Sequence, residues 1–230
     1  MLQAAALGAA ASPSPAAGDG AIAVCDTAAG LSAINAPEAQ LVIWRRDLPA
    51  ALTRGLEDLH PDSLPHTRLL VRPADLRAAL APDLDAAQMP TGPTRDHLLE
   101  DIGGLVTLFA RVTERGLVDV RLERLDHDAC WKFHRDRVKA RLLTTYRGPA
   151  TEWVHPDFAQ RAVRDQKSYD GPLERMGQHD VAIFKGDRAG PDRGIVHRSP
   201  PVEGTGRTRL LLVLNERSAV SPDPWGLSGR

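Results

Sequence analysis

The spacing of apolar residues changes character at Gly116. Before it, Leu98, Ile102, Leu105, Leu108, Phe109 and Val112 recur at helical intervals, whereas after it Val118, Val120, Leu122 and Leu125 interleave with Asp119, Arg121 and Glu123. Helix side chains return to one face every three or four residues and strand side chains every two, so one element cannot serve both patterns. The chain therefore reads as α+β, a long helix from Arg95 to Arg115 bracing a second half made mostly of strands.

Further strands are expected at Val138 to Tyr146, Thr151 to Val154, Val181 to Phe184, Gly194 to His197 and Arg209 to Leu214, each bounded by Gly or Pro. Short strands with turn signals suggest an antiparallel sandwich or barrel. One helix interrupts them, from after Pro156 to about Gln166. In front, Leu41 to Trp44 reads as a strand. Asp47 can cap a helix through Leu59 with Pro49 in its first turn, a second strand covers Leu69 to Val71, and Pro73 opens another short helix. The resulting division is a disordered tail over 1–22, a small N-terminal α/β lobe over 23–93, a strand-rich metal-binding domain over 94–217 and a flexible tail over 218–230.

Composition narrows the functions. The 230 residues are 42 % hydrophobic and 26 % charged, ordinary for a soluble globular chain, and no apolar run approaches the roughly 18 residues of a spanning helix. With 29 basic and 30 acidic residues there is no global positive field to draw the chain onto nucleic acid or an anionic membrane. Two cysteines make no disulfide framework, which fits a reducing compartment. The first twenty residues are rich in Ala, Ser, Pro and Gly, but the first basic residue is Arg45, so the charged start of a signal peptide is missing and a cytoplasmic protein is expected. A Gly-x-Ser-x-Gly elbow, a phosphate-binding loop, a dinucleotide fingerprint and a Cys-x-x-Cys zinc knuckle are all absent.

Histidine and aspartate carry the remaining chemistry. Residues two apart on a strand face the same side, so His134 and Asp136, at the start of the strand through Val138, converge as a two-point metal clamp. His197, before Pro200-Pro201, supplies a third ligand, and two histidines with one carboxylate form the facial triad of non-haem Fe(II) oxygenases. Random placement of eight histidines gives about 0.7 His-x-Asp triplets, so the triplet alone is weak. Two others, His60-Pro61-Asp62 and His155-Pro156-Asp157, contain a proline that suits turns or helix starts.

The neighbouring segments sharpen the reading. Leu142-Leu143-Thr144-Thr145-Tyr146-Arg147-Gly148-Pro149-Ala150-Thr151-Glu152-Trp153, then Gly177 to Phe184, then His197-Arg198-Ser199-Pro200-Pro201-Val202 resemble, in order, segments of the prolyl-hydroxylase-like 2-oxoglutarate dioxygenases. The resemblance implies a double-stranded β-helix, or jelly roll, and Fe(II) with 2-oxoglutarate as cofactors. It implies Tyr146 and either Arg209 or Arg207 as cofactor-binding residues, an arginine gripping the far carboxylate of 2-oxoglutarate. Sequence does not choose between the two; Arg209 is preferred as nearer the apolar body of its strand. Residues 94–216 also resemble the bacterial family called domain of unknown function 1826, through Asp128-Ala129-Cys130-Trp131-Lys132-Phe133-His134, the Tyr146 to Trp153 segment and His197 to Pro201. That resemblance implies a role in zinc limitation and a link to a zinc-chaperone GTPase.

Alternatives stay open around the same residues. Zinc or manganese would accept the same ligands as iron. Cys130 is a candidate fourth ligand or a small buried residue, Glu152 a candidate cavity residue, and Lys185 a candidate contact for an acidic co-substrate. His155 and His179 are reserve ligands, and His60, His66, His97 and His127 read as structural. The rival classes are a non-catalytic metal binder or chaperone and a cupin-like protein that has lost its metal. The substrate, a small molecule or a protein, is not specified by the sequence.

Overall fold

The computed structural model describes residues 20–190 and 193–226. Among them lie ten strands and four α-helices: β1 (Ile22–Cys25), β2 (Leu41–Trp44), α1 (Ala50–Asp58), β3 (Thr67–Val71), α2 (Leu76–Ala86), α3 (Pro93–Thr113), β4 (Val118–Leu125), β5 (Ala140–Arg147), β6 (Glu152–Val154), α4 (Pro156–Asp165), β7 (Glu174–Arg175), β8 (Val181–Lys185), β9 (Val196–Arg198) and β10 (Arg209–Glu216). Seven strands form one sheet in the order β1-β2-β8-β5-β10-β4-β3, and three form a second, β7-β6-β9. The molecule is a mixed α+β fold, as the change of period requires.

Alternation along the strands sorts the large sheet into two faces. Val118, Val120, Leu122, Leu142, Leu210, Leu212 and Leu214 pack with Leu98, Ile102 and Phe109 of α3. Leu41, Leu143, Phe184, Leu211 and Val213 point the other way and pack with Trp153 and Ile195 from the region of the small sheet. β10 runs Leu210-Leu211-Leu212-Val213-Leu214 without polar interruption because it is covered on both sides. β4 alternates because only its helix-side face is fully apolar. Each of these leucines contributes about 1.5–3 kcal/mol by leaving water.

Three expectations need correction. The front segment is not set apart by a sheet of its own. β1 and β2 continue the large sheet beyond β8, and β3 closes its other edge against β4, so the expected boundary at 93/94 runs through one sheet. Periodicity reveals strands but not their partners, and here the partners are distant in sequence. The residue at the N-cap of α1 is Pro49, which makes no side-chain cap, and not Asp47. The segment after Ser218 is held rather than loose as far as Trp225. The Trp225 amide donates to the Leu70 oxygen at 2.8 Å, and the Ser221 hydroxyl donates to Asp119 at 2.7 Å. The expected front tail lies outside the described residues up to residue 19, and β1 begins at Ile22. Among the described residues no helix is long and apolar enough to cross a membrane.

Candidate metal centre

His134 and Asp136 do not lie on a strand: β5 starts only at Ala140, and the triplet occupies the loop before it. The loop is nevertheless fastened residue by residue. His134 and His197 exchange main-chain hydrogen bonds, each 3.1 Å, as an isolated bridge to the middle residue of β9. The Asp187 amide donates to the Asp136 oxygen at 2.9 Å and the Gly186 amide to the Lys139 oxygen at 3.1 Å. The Gln166 side chain clamps both main-chain groups of Phe133. An ordered loop thus reproduces the convergence expected of a strand.

The three side chains meet between the sheets. Nε2 of His134 stands 3.6 Å from Oδ1 of Asp136, and Nε2 of His197 stands 3.4 Å from Oδ2. One ligand atom from each residue falls within 4.8 Å of the others. Bonds of about 2.1 Å to a common ion place neighbouring ligand atoms about 3.0–3.4 Å apart, so the three would draw together around an ion. The His134 and His197 rings lie 4.6 Å apart, and the Phe184 ring packs 4.7 Å from His197, tying the large sheet to the small one at this point.

Hydrogen bonding fixes the tautomers. Nδ1 of His134 donates to the Lys132 oxygen at 2.7 Å, and Nδ1 of His197 donates to the Ile195 oxygen at 3.1 Å. A carbonyl can only accept, so each Nδ1 carries a proton and each Nε2 is the atom turned toward Asp136. Burial lowers the His197 pKa to about 4, so at neutral pH its Nε2 presents a bare lone pair to a carboxylate. Oδ2 of Asp136 is buried and accepts no hydrogen bond. Two acceptors pressed together inside a protein call for a cation between them.

The charges around Asp136 sharpen that demand. Burial alone raises its pKa, but the close approach of His134 and the charge of Arg141 outweigh it, and the carboxyl settles at about 2. The His134 pKa moves upward, mainly through Asp136, so the carboxylate favours positive charge on this ring. Arg141 holds Oδ1 of Asp136 at 2.7 Å and donates from Nε to Asn215 at 2.8 Å. One carboxylate oxygen is thereby occupied and the other left for an ion. Two imidazole nitrogens and one carboxylate oxygen suit a divalent transition metal, and this site fits one.

A cavity of about 100 Å³ opens beside the triad, lined by Arg121, Glu123, Cys130, Leu143, Thr151 and Ser199 among others. Arg209 lies behind this lining, hydrogen-bonded to Ser199 and Thr151 of it and 1 % exposed, on the same strand face as Leu211 and Val213. Its guanidinium donates to the Pro149 oxygen at 2.8 Å, to Ser199 at 2.8 Å and to Thr151 at 3.3 Å, all neutral groups. Burial lowers its pKa to about 10, so it remains a cation at neutral pH. Among the described residues no carboxylate lies within ion-pair distance of it.

Other expected site residues fall elsewhere. Arg207 is exposed and precedes β10. Tyr146 sits on the helix face of the sheet, 1 % exposed, its hydroxyl donating to Asp101 of α3 at 2.5 Å. β5 bulges at this residue, which has no partner on β10 between Thr145 and Arg147, and Tyr146 keeps the helix-side face of Leu142, away from the cavity. Glu152 is buried but neutralised by Arg175 at 2.6 Å and Arg198 at 2.9 Å, on the side of β6 opposite Trp153. Lys185 donates to the Ala36 oxygen at 2.7 Å, in front of the sheet. Cys130 does line the cavity, outside the three-residue ligand group, but it is an exposed residue and not the small buried one expected, and partial desolvation pushes its thiol pKa up. His155 caps α4, and Nε2 of His179 contacts the Tyr146 oxygen. His60 caps a short 3-10 turn, as a structural histidine should.

Sequence reasoning missed Arg141 and Gly186. Arg141 is one of six arginines between residues 121 and 147, and nothing in the sequence singles it out. Gly186 looked like a turn residue, yet a Cβ there would lie 2.4 Å from the main-chain oxygens of both Asp136 and Val138.

Comparison with known proteins adds three findings. The crystal structure of a Pseudomonas putida prolyl-4-hydroxylase is similar with a TM-score of 0.35 and 16 % identity, over 77 % of this chain and 97 % of that one. The apo crystal structure of a C-terminally truncated Neurospora crassa protein is similar with a TM-score of 0.39 and 11 % identity, over 83 % of this chain and 86 % of that one. No curated protein matches. A family model described as "Protein of unknown function (DUF1826)" matches residues 25–215, from the end of β1 to β10, and the chain belongs to that family.

Proposed function

We propose that this protein is an Fe(II)- and 2-oxoglutarate-dependent oxygenase of the hydroxylase type, its two facing sheets forming a double-stranded β-helix. His134, Asp136 and His197 would hold the ion, and Arg209 would receive the far carboxylate of 2-oxoglutarate. The observation that carries this reading is Arg209, a buried cation with only neutral partners beside a ligand triad containing an unsatisfied carboxylate oxygen. A simple metal store needs the triad but not a buried guanidinium that lacks a counter-charge, whereas a dicarboxylic co-substrate needs both.

The chain's own residues divide the work. Nδ1 donation to Lys132 and Ile195 keeps both imidazoles turned inward, Arg141 fixes the rotation of Asp136, and Phe184 shields His197 from water. Thr151 and Ser199 hold the Arg209 fork in place. Bound Fe(II) would supply oxygen activation, in which O2 and 2-oxoglutarate are consumed, a substrate C–H becomes C–OH, and succinate and CO2 leave. Zinc or manganese would fit the same donors, and iron is proposed because the co-substrate site implies redox chemistry.

Anaerobic titration of the purified protein with Fe(II) and then 2-oxoglutarate tests the reading. A charge-transfer absorption band that is absent from His134→Ala and Asp136→Ala but retained in His60→Ala supports it. Tight zinc with Cys130 as a ligand and no binding of 2-oxoglutarate would instead indicate a metal carrier.

A further inference from the structure

We propose that the substrate of this site is a small zwitterion of the α-amino-acid type, its carboxylate received by Arg121 and its ammonium by Glu123; this rests on the oxygenase reading of the same cavity. Both residues line the cavity together with His134 and His197. They lie on β4, two apart and therefore on one face. The strand register sets Arg121 beside Val213 and Glu123 beside Leu211, the apolar residues of β10 that the small sheet covers. The charged pair thus stands where that cover ends, with side chains 30 % and 29 % exposed.

Outside the triad, the charged groups that flank this pair have partners of their own. Asp119 takes two hydrogen bonds from Arg68, at 3.0 and 2.7 Å, and a third from Ser221. Arg141 is committed to Asp136 and Asn215, and Arg209 to three oxygens. Arg121 and Glu123 are not. Nε of Arg121 is buried without an acceptor, and its guanidinium stands 4.0 Å from Asp119 and 3.9 Å from Glu123, both beyond hydrogen-bond reach. Among the described residues nothing donates a hydrogen bond to the Glu123 carboxylate.

A slack ion pair with a buried orphan N–H is a socket for a molecule that carries both charges close together. A carboxylate can fork onto the guanidinium while an adjacent ammonium donates to Glu123, replacing one loose contact by charge-assisted hydrogen bonds. A plain anion would bring its charge against Glu123 and a plain cation against Arg121, so the pair selects for the zwitterion by repelling either half alone.

Binding of each of the twenty protein amino acids to the Zn(II)-loaded, redox-inert protein, followed by calorimetry, tests the proposal. At least one should bind, and Arg121→Gln and Glu123→Gln should each weaken it tenfold or more. For that amino acid, N-acetylation should weaken binding to the native protein but add little in Glu123→Gln, and conversion to the carboxamide should add little in Arg121→Gln. Should Arg121→Gln fail to fold, Arg121→Lys, which keeps the charge but loses the fork, is expected to show a smaller loss. Binding of none of the twenty, or wild-type affinity in both glutamine variants, overturns the proposal. Zinc content measured on the same samples separates the two readings. A loaded site that ignores all twenty sinks only the zwitterion, whereas a wild-type protein that takes up no metal sinks the oxygenase reading, and titrating that metal-free protein still tests the pair.

Discussion

A methyl group on Gly186 would sit 2.4 Å from the main-chain oxygen of Asp136. The backbone of Gly186 is extended, with φ −101°, so any residue could adopt its conformation and space alone demands glycine. Gly186→Ala is expected to cost about 1–3 kcal/mol by overpacking and to push the Asp136 loop off its turn. Thermal melts should fall by about 2–4 °C per kcal/mol, and metal affinity measured by calorimetry should fall with them. An unchanged affinity in a folded variant would show that the turn does not position the ligand.

Metal uptake at neutral pH should release no more than one proton. His197 is neutral down to about pH 4 and Asp136 ionised down to about pH 2, so neither has a proton to lose. His134 is the group whose pKa is raised, and it is protonated at pH values below its folded pKa. Affinity should therefore weaken as pH falls through the His134 titration, well before His197 takes part. Calorimetry in buffers of different ionisation enthalpy counts the protons, and a release of two would contradict the assignment.

Arg209 and Arg207 are two residues apart and chemically identical, yet only Arg209 backs the cavity lining. Arg209→Lys keeps the charge but loses the fork, and should weaken 2-oxoglutarate at least tenfold while leaving metal loading intact. Arg207→Ala should match the wild-type protein in both measurements. The reverse ranking would move the co-substrate elsewhere.

Tyr146→Phe should leave 2-oxoglutarate affinity unchanged and lower stability instead. The lost hydrogen bond runs to a carboxylate that Arg46 also holds, so a loss of about 1.5–3 kcal/mol is expected from a charged partner in the interior. Denaturant unfolding reads this directly, and a selective loss of co-substrate binding would return Tyr146 to the site.

The sequence by itself determined most of the elements and the residue types of the candidate site. β2 and β4 fall where alternation and Gly/Pro boundaries put them, and α3 within two residues of its expected ends, because periodicity is a local consequence of which face is buried. His134, Asp136 and His197 were legible because few residue types bind metals and two of the three are near neighbours. Only the tertiary structure decided that the front strands share the main sheet, that Arg209 and not Arg207 backs the cavity lining, that Tyr146 points into the core, and that Arg141 and Gly186 hold the aspartate. Those facts depend on which strands pair and in what register, and pairing energy comes from residues far apart along the chain. Local patterns carry no record of such partners.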